Sequence, residues 1–120
     1  MKTILIADDS ESIRELVEMT LRGAGYNVLK GSDGAEAVNH LNGVPIHLVI
    51  TDLNMPNLDG IGVIKAVRAH EEYNTVPVLL LTTESQAAKK EEAKAAGATG
   101  WIVKPFVQEK LLSVIQKVIR

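Results

Sequence analysis

A doubly wound α/β fold around a parallel sheet is what this sequence predicts, and three observations carry that expectation. Short apolar runs alternate five times with longer stretches of helical periodicity. The runs are apolar throughout rather than at every second residue, as strands covered on both faces require. Glycine, proline and short polar clusters punctuate the junctions. At 120 residues and 46% hydrophobic content, the chain has the size and core capacity of one ordinary domain.

The first run is Ile4, Leu5, Ile6 and Ala7. A helix follows, with Ser12 and Glu15 at capping-box spacing and Ile13, Leu16, Val17, Thr20 and Leu21 on one face. Gly23 and Gly25 stop it. A weaker strand, Asn27 to Lys30, leads through GSDG to a helix carrying Ala37, Val38 and Leu41. Pro45 introduces a third strand, Ile46 to Thr51, and Asp59 caps a helix with Ile61, Ile64 and Val67 inward. Pro77 opens the fourth strand, VLLLT. Ser85 to Ala96 reads as a helix whose apolar side is nearly all alanine, which predicts weak docking. Gly97 ends it, GWIV makes the fifth strand, and Leu111, Leu112, Ile115, Val118 and Ile119 line a last helix. Right-handed crossovers and the common order for five such strands predict 2-1-3-4-5, a flavodoxin-like (βα)5 sheet forming one domain over residues 1–120.

The bulk properties exclude several functions. Thirteen basic against 15 acidic groups leave a formal charge of −2, which speaks against a basic nucleic-acid footprint or electrostatic membrane attachment. The chain has no cysteine, so disulfides and thiolate metal sites are excluded, as suits a reducing compartment. In MKTILIADD two aspartates cut the apolar run too early for a signal peptide, and no run reaches membrane-spanning length. The expectation is a cytoplasmic domain with no membrane insertion and no output domain, and a monomer. The scattered His40, His47 and His70 are expected to face solvent, Met19 to lie on a helix surface or core edge, and Met55 in a loop beside the site.

Ligands of doubly wound sheets bind at the carboxyl ends of the strands, where the winding reverses. There the first strand ends in Asp8 and Asp9, the third in Asp52, the fourth in Thr82 and Thr83, and the fifth in Lys104 before Pro105. Taken singly these are ordinary: paired aspartates after a strand cap helices, and a lysine before proline is a solvated loop residue. Together they bring three carboxylates, a hydroxyl and an ammonium to one edge. Adjacent carboxylates raise one another's pKa unless a cation joins them. A hard divalent ion with oxygen ligands fits, and Mg2+ is the natural choice where phosphate is handled.

The segments ADD, TDLNMPNLDG, LTTE and GWIVKPF, in that order, resemble the receiver domain of bacterial response regulators across Lys2 to Arg120. In length the chain is most similar to single-domain, CheY-type chemotaxis regulators. The resemblance implies that Asp52 is the phosphoacceptor, taking its phosphoryl group from a CheA-like sensor histidine kinase. It implies Mg2+ held directly by Asp9, Asp52 and the backbone carbonyl of Asn54, and by Asp8 largely through water. Lys104 and Thr82 would contact phosphoryl oxygens, and a cis Lys104–Pro105 bond would aim the lysine. Asn54 and Glu84 would tune dephosphorylation. Trp101, at a position where tyrosine or phenylalanine is commoner, would form a switch with Thr82. The helix Ser85–Ala96, the fifth strand and the last helix would form the face for a downstream protein, such as a flagellar motor switch component or a phosphatase. Such a protein assists its own phosphorylation but turns over no separate substrate.

Other readings share parts of this pattern. A phosphorelay intermediate or phosphate sink would use the same site. A flavodoxin-like redox protein would need a Ser/Thr/Gly-rich phosphate cradle where this chain has DDSES, and its 3% aromatic content is thin for holding a flavin. A haloacid-dehalogenase-type phosphohydrolase would place an Asp-x-Asp nucleophile after the first strand, where this chain has adjacent aspartates. A phosphorylation-independent adaptor would have no use for the acidic and Thr/Lys set.

Overall fold

The computed structural model of the chain describes residues 1–83 and 88–119. Among these, five strands alternate with five helices: β1 (Thr3–Ala7), α1 (Glu11–Gly23), β2 (Asn27–Gly31), α2 (Gly34–Val38), β3 (Leu48–Asp52), α3 (Gly60–Ala69), β4 (Val78–Thr82), α4 (Lys89–Ala96), β5 (Gly100–Val103) and α5 (Gln108–Val118). The strands make one parallel sheet in the order β2-β1-β3-β4-β5, as expected. None of the described helices is long and apolar enough to cross a membrane.

Strand parity sorts the core into two layers. Leu5, Val49 and Leu80 pack with Ile61, Ile64 and Val67 of α3, Ala37 of α2 and Ala93 of α4. Ile4, Ile6, Leu48, Ile50, Leu79 and Leu81 pack with Val17 and Leu21 of α1 and Leu111 and Ile115 of α5. Successive strand residues point to opposite faces. Both faces are covered, so the runs read as continuously apolar. Each fully buried Leu or Ile is worth roughly 1.5–3 kcal/mol of transfer free energy, and these residues dominate what holds the layers together.

Helix α4 departs from that rule, since Ala93 is its one buried residue. Polar bonds secure its far end instead. Arg68 of α3 donates from Nε and Nη2 to the Gly97 carbonyl at 3.1 and 2.8 Å, and from Nη1 to the Val76 carbonyl at 2.6 Å. Gly97 itself adopts φ 112°, the left-handed geometry that ends a helix without a Cβ clash. The start expected for this helix, at Ser85, lies outside the described residues.

Several local expectations need correction. The cap of α1 is Ser10 rather than Ser12. Ser10 has extended backbone angles and its side chain accepts from the Ile13 amide, whereas Ser12 already lies in the first helical turn. Helix α2 ends at Val38, before Leu41, because the chain tightens: His40 N donates to the Ala37 carbonyl and Leu41 N to the Val38 carbonyl. Leu41 still packs against the core from beyond the helix. Strand β3 begins at Leu48, two residues later than Ile46, and runs through Asp52.

The histidines are half-buried, and each has a backbone partner. His40 Nε2 lies 2.9 Å from the Lys30 carbonyl, while His47 Nδ1 accepts from Thr3 N at 3.0 Å and His70 Nδ1 from Glu72 N at 3.3 Å. Those partners come from chain reversals and strand pairing that composition does not reveal. Met19 is exposed on α1, and Met55 packs half-buried against the α3-side core.

Candidate functional site

The pairing of β1 with β3 sets Ala7 opposite Thr51, so the residues that follow, Asp8 and Asp52, leave the sheet side by side. Asp8 is fully buried. Its Oδ1 accepts from Ser10 N at 2.9 Å, and its carbonyl accepts from Arg14 Nη1 at 2.8 Å. Asp9 is exposed. Asp52 is 8% exposed, with Oδ1 accepting from Leu53 N at 2.9 Å. Carboxylate oxygens of Asp8, Asp9 and Asp52 lie within 4.8 Å of one another.

Beyond β3 the loop folds back and α3 starts close to the strand end. Gly60 N donates to the Leu53 carbonyl at 2.8 Å, and a Cβ on Gly60 would collide with the Asp52 carbonyl oxygen. Only glycine allows this approach, which holds the Asp52 backbone in place. Asp59 caps α3 by accepting from Gly62 N at 2.8 Å. Asn54 lies exposed in this loop.

Lys104 reaches the same point from β5. Its amide donates to the Thr82 carbonyl, and the Lys104–Pro105 peptide is cis. Its Nζ stands 3.2 Å from Asp8 Oδ2 and 3.1 Å from Asp52 Oδ1, a bridge between two buried carboxylates. Thr82, at the end of β4, is fully buried, and its Oγ1 has no hydrogen-bond partner among the described residues. A buried hydroxyl left unpaired costs about 1–3 kcal/mol. It is a donor waiting for an acceptor.

The electrostatics follow from this crowding. Burial, and then the charge of Asp8, push the Asp52 carboxyl above its ordinary value, and Lys104 offsets only part of that rise. Burial alone would lower Lys104, yet the charges of Asp52 and Asp8 and its hydrogen bonds to both raise it on balance. Among the described residues, no second ammonium or guanidinium forms a salt bridge with these carboxylates. Three carboxylates against one ammonium leave two negative charges uncompensated. An all-oxygen donor set with that deficit fits a hard divalent cation.

Asp8, Asp9, Asp52, Lys104 and Thr82 are thus brought to one edge of the sheet, and Glu84 falls outside the described residues. Trp101, on β5, is 39% exposed, with the Lys90 ammonium 5.0 Å from its ring centroid. Its ring is therefore at the surface, beside a hollow lined by Val103, Pro105, Phe106, Val107 and Lys110. Ser10 and Arg14, which hold Asp8 from behind, escaped the sequence reading. Ser10 acts through its backbone amide, which carries no side-chain signal, whereas Arg14 one turn into the helix after DD is a cation that could have been noticed.

Comparison with known proteins identifies the family. The family described as response regulator receiver domain matches residues 4–116. A chemotaxis protein CheY of Pseudomonas aeruginosa is 37% identical over 116 residues, covering 96% of this chain and 94% of that protein. The crystal structure of Vibrio cholerae CheY4 superposes with a TM-score of 0.93 at 47% identity, covering 98% of each chain. The receiver domain of the Pseudomonas aeruginosa sensor histidine kinase PA1611, described with a magnesium ion coordinated in its active-site cleft, gives a TM-score of 0.89 at 28% identity, covering 98% and 96%.

Proposed function

This chain belongs to the response regulator receiver domain family, and from that premise we propose that Asp52 accepts a phosphoryl group from the phosphohistidine of a CheA-like sensor kinase. Receiver domains act as phosphoacceptor signalling proteins. The observation that carries the assignment to Asp52 is the Lys104 ammonium bridging Asp52 and Asp8 at the sheet edge.

An Asp52 carboxylate oxygen attacks phosphorus, the P–N bond to the kinase histidine breaks, and its electron pair returns to the imidazole nitrogen. The product is an aspartyl phosphate. An anion approaching an anion needs neutralisation and in-line positioning, which is nearly all a protein supplies in phosphoryl transfer. Lys104 supplies a compact positive charge that can pass from the Asp52 carboxylate to a phosphoryl oxygen. Thr82 offers its unpaired hydroxyl to another. Asp8, Asp9, Asp52 and the Asn54 carbonyl would hold Mg2+, which neutralises charge on the transferring group when bound. The magnesium described in the cleft of the PA1611 receiver domain, and the clustering of Asp8, Asp9 and Asp52, support a divalent ion at this place. Asn54 and Glu84 would tune how quickly water later hydrolyses the phosphoryl group.

For the response, movement of Thr82 toward the phosphoryl group opens space beside β5 into which the exposed Trp101 ring can turn. Helix α4, with one buried residue, yields readily. The signal is then a shift of an existing equilibrium on the face of α4, β5 and α5. Exposed Val107 and the hollow beside Trp101 suit an apolar anchor of a downstream protein there, such as a motor switch component or a phosphatase. The chemotaxis relatives favour that role over a phosphorelay intermediate or phosphate sink.

The test is phosphorylation by acetyl phosphate with Mg2+, followed by intact mass and Trp101 fluorescence. One phosphoryl group should be gained, with a saturable fluorescence change, and both should vanish in Asp52→Asn. Phosphorylation that survives this substitution would move the acceptor elsewhere.

A further inference from the structure

The loop between β3 and α3 is tied to the start of α2 by a bond that the site as described does not use. Asn57 Nδ2 donates to Asp33 Oδ2 at 2.6 Å. Asn57 has φ 70°, the one positive φ outside glycine among the described residues. Leu58 N donates to the Pro56 carbonyl at 2.8 Å, closing a three-residue γ-type turn around it, a strained conformation for a residue with a Cβ. Such a conformation persists only where its surroundings over-determine it.

Those surroundings are fixed. Asp33 is the N-cap of α2, its Oδ1 accepting from Glu36 N at 2.7 Å, and Glu36 reaches back to Ser32 N at 3.0 Å. The Glu36 amide and then Asn57 hold the Asp33 carboxyl below its ordinary value, so it stays a charged acceptor. Gly34 has no room for a Cβ because the Leu58 backbone lies against it. The loop is thereby held at the Asp33–Asn57 bond, at the Leu58–Gly34 contact and at Gly60 against Asp52. Between these fixed points lies Asn54.

We propose that Asn57, through its bond to Asp33, is a positioning residue for the cation site, presetting the loop whose Asn54 carbonyl completes the ligand set. This rests on the cation reading above. Without the bond, the strained turn relaxes and the loop must be reordered each time the metal binds, so affinity falls while the chemistry of the loaded site is preserved.

Two variants test it, with the Mg2+ dissociation constant by calorimetry, the phosphorylation rate at saturating Mg2+ and the thermal midpoint as readouts. Asn57→Gly keeps the positive φ accessible and removes the donor together with the Cβ. Its Mg2+ affinity should fall about fivefold, with the saturated rate within about twofold of the native protein. The double variant D33N/N57D reverses donor and acceptor, retains a good N-cap and keeps the native net charge. It should recover affinity to within about twofold. An unchanged constant in Asn57→Gly, or a weakened one that the double variant does not restore, would overturn the proposal. Failure of the native protein itself to bind Mg2+ would instead overturn the underlying cation site.

Discussion

Lys104 Nζ lies 3.1 Å from Asp52 Oδ1, and the same ammonium holds Asp8 at 3.2 Å. The chain thus carries its own monovalent substitute for part of the charge that a divalent ion would balance. Replacing Lys104 with methionine should separate two effects. Phosphorylation by acetyl phosphate should slow by about 100-fold, since one charge on the transferring group goes unanswered. Mg2+ should bind about threefold more tightly, because a competing cation has gone. Equal loss of both, measured by calorimetry and intact mass, would contradict this division of labour.

Asp52 should make the metal-free protein less stable at neutral pH. Its carboxyl is raised above the ordinary 3.8, so the folded state binds that proton more tightly than the unfolded state does. The ionised group therefore costs stability above its folded pKa, and the cost disappears as pH falls below 3.8. Asp52→Asn should melt roughly 2–6 °C higher than the native protein at pH 7. The two should converge toward pH 3.5, since every other acidic group is common to both. Added Mg2+ should raise the native midpoint and leave that of the variant nearly unmoved. Parallel melting curves across this pH range would refute the assignment of strain to Asp52.

Thr82 offers the opposite dissociation, of stability from response. Its buried Oγ1 has no partner among the described residues, so Thr82→Val removes an unpaired hydroxyl at little change of shape. Resting stability should rise by about 0.5–1.5 kcal/mol, read by urea denaturation. The Trp101 fluorescence change on adding beryllofluoride with Mg2+ should be largely lost. A destabilised variant that still responds would show that the hydroxyl already has a structural task.

Gly60→Ala tests the backbone that carries Asp52. The added Cβ meets the Asp52 carbonyl oxygen, with the Leu53 backbone and a Leu80 methyl close behind. Stability should fall by about 1–3 kcal/mol. Mg2+ affinity should fall with it, because the strand end and not only the helix start must move. An unchanged midpoint would mean that α3 can step away from β3 without cost.

Much of this is legible in the sequence alone. Every strand could be found from its apolar run, and Asp59 and Gly97 mark helix ends by chemistry that is local. The errors fell where a distant partner decides. Ser10 caps α1 in place of Ser12 because the chain leaves β1 at that point, with the Ser10 amide bonded to Asp8. His47 is half-buried because its ring completes the pairing of Thr3, forty-four positions away. The Asn57–Asp33 bond spans 24 positions and carries no local signature beyond an asparagine in a turn.

By itself, then, the sequence determined the alternation of strands and helices, the parallel sheet, and the set of acidic, hydroxyl and basic residues at its carboxyl edge. Apolar burial is non-directional and follows the period of each element, so it can be read one segment at a time. Tertiary structure alone decided that Lys104 bridges Asp8 and Asp52, that Thr82 is left without a partner among the described residues, and that Trp101 stands outside under Lys90. Those outcomes depend on the register of strands far apart in the chain and on how deeply each charge is withdrawn from water. Hydrogen bonds and close ion pairs need their partners placed to within a few tenths of an ångström, a precision that only the assembled sheet supplies.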